Sequence, residues 1–311
     1  MSLEGRTVLV TGGIGFVGSY VTRDLLDSGA DVHALDNGFT GSPQLVPDTV
    51  TVHDVDIRDV NRVKETVSKV NPSVIIHLAA IHFIPYCNEN PEEAFDVNVL
   101  GTRNVVEAAR KLDCLERFVN TSTAAVYEPA SDPHVEDEGI GPTDIYGRTK
   151  LVAEDEARLF SMDTGVPTAS ARLFNTYGTR ETNSHLIPAI LDQIENGSRT
   201  VELGNLSPAR DFIHASDVAS VLVTLAREFN GNYRAYNVGT GTEHTVREVV
   251  EAMSEVLNEG VTIEQDQERV RESDRPHLQA DITRLKDEFD WRPEYSLRDG
   301  LDNLLDVEGI K

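Results

Sequence analysis

Cysteine is almost missing from this sequence of 311 residues: Cys87 and Cys114 are the only two, and they share no metal-ligand or redox-motif spacing. That excludes a disulfide framework and a cysteine-built zinc site, and both thiols read as ordinary buried or half-buried groups. Long apolar runs are absent as well. No stretch approaches the roughly 18 to 20 apolar residues of a membrane span. The first strand-like run begins at Arg6, which leaves no room for a secretory signal, so the expected compartment is the cytoplasm. Positive charge is the most conspicuous shortage: 28 Lys and Arg face 53 Asp and Glu, a net charge of -25, with lysine much rarer than arginine. The acids are spread along the chain. Their field repels nucleic acid and anionic membrane, and repels itself unless salt screens it. A halophilic cytoplasm explains such a composition, with an acidic mesophilic enzyme as the alternative. Either way, an anionic ligand needs local cations to bind.

What is present is a globular composition, 39% hydrophobic and 26% charged. The length exceeds what one hydrophobic core usually supports, so a large domain with a smaller companion is expected. Residues 6–11, 31–36, 50–55, 73–79, 117–122 and 168–174 form apolar, β-branched runs that read as strands. The segments between them carry apolar residues at helical spacing, as in Val97, Leu100, Val105, Ala108 and Ala109. This βαβ alternation predicts an α/β fold with a doubly wound parallel sheet over residues 1–173. Beyond Leu173, glycines and prolines divide the chain into short pieces, which predicts a smaller α/β domain over 174–311. Residues 212–238 are expected to return to the main sheet, with 216–229 as helix and 236–238 as strand, so the two domains interleave.

The first strand runs into Thr11-Gly-Gly-Ile-Gly-Phe-Val-Gly18, which opens a helix. Gly12 permits a tight turn, Gly15 lets backbone amides approach a pyrophosphate, and Gly18 allows close helix packing, while the helix N-terminus favours negative charge. Phe16 and Val17 belong to the same turn of chain. Asp36 closes the second strand 18 residues after Gly18. A carboxylate there hydrogen-bonds the adenine-ribose hydroxyls and repels a 2′-phosphate, which points to NAD over NADP. The Asp56-Ile-Arg-Asp59 phrase suits either a helix cap or a contact with adenine.

Tyr146-Gly-Arg-Thr-Lys150 starts another helix, with Tyr and Lys four apart on one face. A tyrosine serves as general base near neutrality only if positive charge pulls down its pKa, near 10 when unperturbed. A shift of about three units corresponds to roughly 4 kcal/mol, which takes Lys150 together with an oxidised nicotinamide. Thr121-Ser-Thr123 leaves a strand at the carboxyl edge of the sheet, where open α/β folds bind ligands, and supplies a hydroxyl donor.

In this combination the sequence resembles the extended short-chain dehydrogenase/reductase family, in its NAD-dependent epimerase/dehydratase group, over nearly the whole chain. The matching phrases include Asp36-Asn37, Asp56 to Asp59, His77 to Ala80, Asn98 to Thr102, Thr121 to Tyr127, Arg172 to Asn175, Arg210 to His214 and Arg271 to Asp274. The resemblance implies that Tyr146 is the base, that Lys150 also holds the nicotinamide ribose, and that Thr123 hydrogen-bonds the reacting sugar oxygen. It places Asp56 and Ile57 against adenine, with Asn37 beside Asp36. Leu78, Ala79 and Ala80 line the dinucleotide, and Asn98 lies nearby. Asn175, Arg210 and Arg271 hold the diphosphate of a nucleotide sugar, which answers how so acidic a chain binds an anion. A homodimer is also implied, with no metal.

Epimerisation, dehydration and net reduction all share such a site. The 4,6-dehydratases of the group carry Asp-Glu after the catalytic Thr, because elimination of water needs a further acid and base. Here those places hold Ala124 and Ala125. The expected reaction is therefore epimerisation at C4 of a UDP-hexose through a transient 4-keto sugar. A dehydratase or 4-keto reductase is the alternative, and a non-catalytic NAD-sensing regulator is disfavoured because Tyr and Lys are both kept. His82, in Ile81-His-Phe-Ile-Pro85, either contacts the sugar or packs, and Leu278 aligns with the bulky residue that closes the hexose pocket in narrow-specificity epimerases.

Overall fold

The computed structural model describes residues 2–270 and 275–311. In chain order the elements begin with β1 (Thr7–Thr11), α1 (Phe16–Asp27), β2 (Asp31–Asp36), β3 (Thr51–Asp54), α2 (Val60–Val70), β4 (Val74–His77), α3 (Ile84–Glu89) and α4 (Pro91–Phe95). A π-helical segment (Asp96–Gly101) then leads into α5 (Thr102–Ala109), β5 (Arg117–Thr123), α6 (Ile145–Thr164) and β6 (Thr168–Leu173). There follow β7 (Asn175–Tyr177), α7 (Leu186–Glu195), β8 (Thr200–Leu203), β9 (Ala209–His214), α8 (Ala215–Glu228) and β10 (Arg234–Val238). The chain finishes with β11 (Glu243–Thr245), α9 (Val246–Leu257), β12 (Thr262–Gln265), α10 (Thr283–Phe289) and α11 (Leu297–Val307).

The chain divides into two compact units. The first comprises 1–128, 140–173 and 218–237; the second comprises 129–139, 174–217 and 238–311. Three boundaries differ from the expectation: the return to the first unit starts at Val218 and ends at Asn237, and residues 129–139 belong to the second. In the second unit His134 N–H donates to Gln279 O, and Arg284 pairs with Glu136 and Asp137. Those contacts tie the excursion down.

Among the described residues the main sheet has seven strands in the order β10-β6-β5-β4-β1-β2-β3. The pairs from β6 through β3 are parallel. Helices cover both faces of such a sheet, so its central strands are buried: Val8, Leu9, Val10, Val74, Ile75 and Ile76 are all fully buried. Crossovers run outward from β1 on one side and from β4 on the other. The reversal between β1 and β4 leaves a crevice at their carboxyl ends, the position where this architecture binds ligands.

One helix departs from its expected pattern. Val105, Ala108 and Ala109 are buried, but Leu100 is 51% exposed. It lies in the π-helical segment, whose wider turn adds a residue and rotates the apolar stripe out of register.

The second unit has a three-stranded sheet, β11-β9-β7, and a two-stranded one, β12-β8. Tyr177, Ile190, Val249, Met253, Leu301 and Leu304 form part of its core. Among the described residues no helix is long and apolar enough to cross a membrane.

Candidate active site

The glycine turn behaves as close packing demands. Gly12 has φ +71°, and a methyl group on it would lie 2.8 Å from Ala79 N, where β4 ends beside the turn. On Gly18 a methyl group would lie 2.0 Å from Gly12 O, so helix and turn can meet only without a side chain. Gly15 is the N-cap of α1 and puts no side chain over the first amides of the helix, which remain aimed outward as an anion cradle. Phe16 is buried and Val17 half-buried in the first turn. Gly41, which no sequence motif marks, backs the same turn: its Cβ would lie 2.5 Å from Ile14 O.

Asp36 ends β2 with one carboxylate oxygen accepting from Ile14 N (3.2 Å) and the other from Gly38 N (2.9 Å). Burial pushes its carboxyl above the usual range, and those backbone amides work against the push. The carboxylate is thus locked to the glycine turn.

The Asp56-to-Asp59 phrase divides between its two readings. Asp59 caps α2, accepting from Asn61 N and Arg62 N, both at 3.1 Å. Asp56 stays out of the cap: Arg58 grips its carboxylate, with Nη2 at 2.7 Å, and Asn37 Nδ2 donates to it at 3.0 Å. The hydrogen bonds from Arg58 hold the Asp56 carboxyl down at about 2. Ile57 is buried against Gly101, whose Cβ would meet Ile57 Cδ1 at 2.5 Å.

Leu78, Ala79 and Ala80 are half-buried just past β4; Leu78 N donates to Thr11 O, and Ala79 N to Thr11 Oγ1. Behind them His77 is fully buried, its Nδ1 at 2.6 Å from Thr11 Oγ1 and its Nε2 at 2.9 Å from Thr102 Oγ1. Thr102 donates onward to Asn98 O. Burial, reinforced by the charge of Lys150, holds the imidazole down at about 3, so it is neutral. With Thr102 donating elsewhere, Nε2 carries the proton and Nδ1 accepts from Thr11.

Asn98, expected beside the dinucleotide, is wholly buried. Its amide oxygen accepts from Ile81 N at 2.7 Å, and its amide nitrogen donates to Ile81 O at 2.9 Å and Thr149 Oγ1 at 3.0 Å. The side chain clamps the chain after β4 to α6. His82 is half-buried in that clamped stretch.

Helix α6 begins where Asp144 accepts from Gly147 N at 2.7 Å, and it ends at Gly165 in the left-handed region. Gly147 was not singled out from the sequence, although a glycine inside a helical pattern was the available signal. A methyl group on it would lie 2.3 Å from Ala125 O. The bare position lets α6 pack against the turn that follows Thr123, and so brings Tyr146 to that hydroxyl. Thr123 ends β5 and accepts from Ala125 N at 3.1 Å, and its hydroxyl acts on the Tyr146 phenol to lower its pKa. Burial nevertheless raises that phenol above its ordinary value, more than the Thr123 hydroxyl lowers it. Lys150, 2% exposed, is pushed down to about 8 by burial while the charge of Glu154 opposes the shift. The chain's own groups thus set Thr123 against Tyr146, with Lys150 one turn further along α6, without making the phenol acidic. Ala124 and Ala125 are buried in the adjoining turn and carry no proton-transfer group.

In the second unit Asn175 opens β7, paired with Phe212 of β9. Arg210, half-buried on β9, donates from Nη1 to Ala209 O and Arg275 O. Leu278 is buried in the strip beside β9, exchanging backbone bonds with Ala209 and Asp211. Arg271 lies outside the described residues.

Residues 9–304 match the model of a family described as GDP-mannose 4,6-dehydratase. The chain is 34% identical over 307 residues to a UDP-glucose 4-epimerase of Corynebacterium glutamicum, covering 93% of this chain and 91% of the other. It is 30% identical to UDP-glucuronic acid decarboxylase 1 of Arabidopsis thaliana, over 96% of this chain and 68% of the other. Among solved structures, a Thermus thermophilus UDP-glucose 4-epimerase in complex with NAD superposes with a TM-score of 0.87 at 29% identity, covering 96% of this chain and 98% of that one. The chain belongs to the GDP-mannose 4,6-dehydratase family, and with it to the NAD-dependent epimerase/dehydratase group of the extended short-chain dehydrogenases.

Proposed function

We infer that the chain is an NAD-dependent epimerase of a nucleotide-diphosphate sugar, acting at C4 of a UDP-hexose. The observation that carries this reading is the set Thr123, Tyr146 and Lys150 with two buried alanines, Ala124 and Ala125, where a dehydratase needs its further acid and base. The similarity to proteins named UDP-glucose 4-epimerase supports it.

The residues present fit a dinucleotide. The uncovered amides of α1 suit its pyrophosphate, and a side chain at Gly12 would run into Ala79. Asp36 would read the ribose hydroxyls, Asp56 and Ile57 the adenine, and Lys150 the nicotinamide ribose; an enzyme binding NADP equally well would remove that role from Asp36. When bound, NAD supplies the hydride acceptor and donor for the sugar carbon, and a positive charge on its oxidised ring. Thr123 holds the reacting hydroxyl, and Tyr146 takes and returns its proton. Asn175 and Arg210, with Arg271, would hold the diphosphate.

A screen of UDP- and GDP-sugars with product identification by NMR and mass spectrometry tests the reaction. The expected product is an isomer of the substrate, formed without net NADH consumption and abolished by Tyr146→Phe. Loss of water would instead support the dehydratase reading, and stoichiometric use of NADH the reductase. Release of carbon dioxide from UDP-glucuronate would support the activity for which the Arabidopsis relative is named.

The acidic composition supports a salt-rich cytoplasm as the habitat, and free Cys87 and Cys114 suit a reducing compartment. A homodimer is supported by exposed apolar side chains on neighbouring elements: Phe95 and Leu100 next to α5, and Val152, Leu159 and Met162 on α6. Sedimentation equilibrium reads this directly, and a monomer at micromolar concentration would remove it.

A further inference from the structure

Lys150 is the one buried lysine of the chain's six, and the family's chemistry needs it charged. A buried ammonium keeps its proton only if something nearby compensates for the lost water. One helical turn further along α6, at the i+4 position on the same face, stands Glu154, itself buried. Arg172 of β6 grips it through two parallel hydrogen bonds, Nε to Oε1 at 2.8 Å and Nη2 to Oε2 at 2.7 Å. The third arm of the guanidinium, Nη1, donates to Tyr127 OH at 2.9 Å, and Tyr127 donates to Asn237 Oδ1 at 2.6 Å. Tyr233 OH reaches Glu154 Oε2 at 3.4 Å. Two buried charges at the base of a catalytic helix are a costly arrangement for stability alone, because a well-packed apolar pair often does as well.

We propose that Glu154, oriented by Arg172, is a positioning residue that keeps Lys150 charged and thereby sets the pH range over which Tyr146 exchanges protons. The proposal rests on the reading of Tyr146 as the base and adds to it a charge relay running down α6. Arg172 determines where the Glu154 carboxylate points, and Tyr146, Lys150 and Glu154 follow one another at four-residue steps along one face of α6. The other titratable groups around this line are few. His77 of β4 is neutral and feels the Lys150 charge, Cys87 of α3 and the Asp144 cap act on Tyr146, and Thr123 offers only a hydroxyl. Among the described residues, Glu154 supplies the opposite charge that works against the burial of the Lys150 ammonium.

The test is to titrate Lys150 directly, by NMR of protein labelled at the lysine side chains, in the wild type and in Glu154→Gln. An opposite charge one helical turn away, within about 4 to 6 Å, shifts a pKa by about one unit or more. The Lys150 midpoint should therefore fall by about one pH unit in Glu154→Gln, a roughly tenfold loss of ammonium over amine at a fixed pH above the midpoint. The alkaline limb of the kcat profile should move down with it. A merely structural role would lower kcat at every pH and leave the midpoint in place, and that result would overturn the proposal. If the single variant does not fold, Glu154→Asp keeps the pair with Arg172 but draws the carboxylate back by one methylene; it should lower the midpoint by a smaller amount, and an unmoved midpoint would overturn the proposal. A shifted midpoint in a protein that turns over no nucleotide sugar would sink the epimerase reading and leave the relay standing. Turnover with an unmoved midpoint would do the reverse.

Discussion

Gly147 is the position where α6 touches the turn behind Thr123, and Gly147→Ala tests whether that contact sets the catalytic geometry. The added methyl group would lie 2.3 Å from Ala125 O, 2.9 Å from Ala125 C and 3.0 Å from Pro142 Cβ. Carbon and oxygen approach no closer than about 3.3 Å, so helix and turn must part by roughly 1 Å. Two effects on stability oppose each other. Alanine is favoured over glycine in a helix by up to about 1 kcal/mol, while overpacking costs about 1 to 3 kcal/mol. Overpacking should win, because the nearest atoms are main chain and no flexible side chain can swing aside. A melting temperature lower by a few degrees is expected. The larger effect should fall on turnover, since a misplacement of about 1 Å between Tyr146 and Thr123 is worth about a hundredfold in kcat. Thermal melts and steady-state kinetics measure both, with Arg148→Ala, at the exposed next residue, as the neutral control. A Gly147→Ala enzyme that melts at or above the wild type with kcat unchanged would refute the reasoning.

Other predictions concern pH, salt and pocket size. His77 is held near 3 in the folded chain, below its unfolded value of about 6.5. Its contribution is therefore complete above pH 6.5 and is lost as pH falls toward 3, with a slope approaching 1.4 kcal/mol per pH unit. Chemical denaturation at several pH values should show that slope in the wild type and lack it in His77→Asn, and parallel curves would contradict the assignment. If the charge of -25 is an adaptation to salt, the melting temperature should climb steeply from low to molar KCl as repulsion is screened, and a flat response would remove the halophilic reading. With Leu278 as the gate, the enzyme should turn over UDP-N-acetylglucosamine beside UDP-glucose, and Leu278→Tyr should lose the former selectively; equal losses would mean that Leu278 is not the gate.

The parallel sheet was legible in the sequence because its strands are buried on both faces and read as unbroken apolar runs. β2 falls on the expected residues, β6 stops one residue early, and α8 starts and stops one residue early. The glycine turn was legible because close packing restricts residue type and spacing together, and Tyr146 and Lys150 lie on one helix, as their spacing predicts. The π-helical segment was not, since its side chains keep an apolar pattern while its geometry turns Leu100 outward. Nor was the clamp from His77 through Thr102 and Asn98 to Thr149. Its partners are far apart in sequence, and a hydrogen bond leaves no periodic trace. Residues 129–139 carry too few apolar side chains to announce a destination, and their bonds to Gln279 and Arg284 appear only in three dimensions.

In epimerisation one hydride leaves the sugar's C4 and returns to the same carbon on its other face. UDP-glucose deuterated at C4 follows that hydride, with the product read by NMR and mass spectrometry. The expected product is UDP-galactose that keeps its deuterium at C4 and has unchanged mass, even in the presence of added unlabelled NADH. Deuterium lost to solvent or diluted by that NADH, or a product lighter by one water, would contradict it.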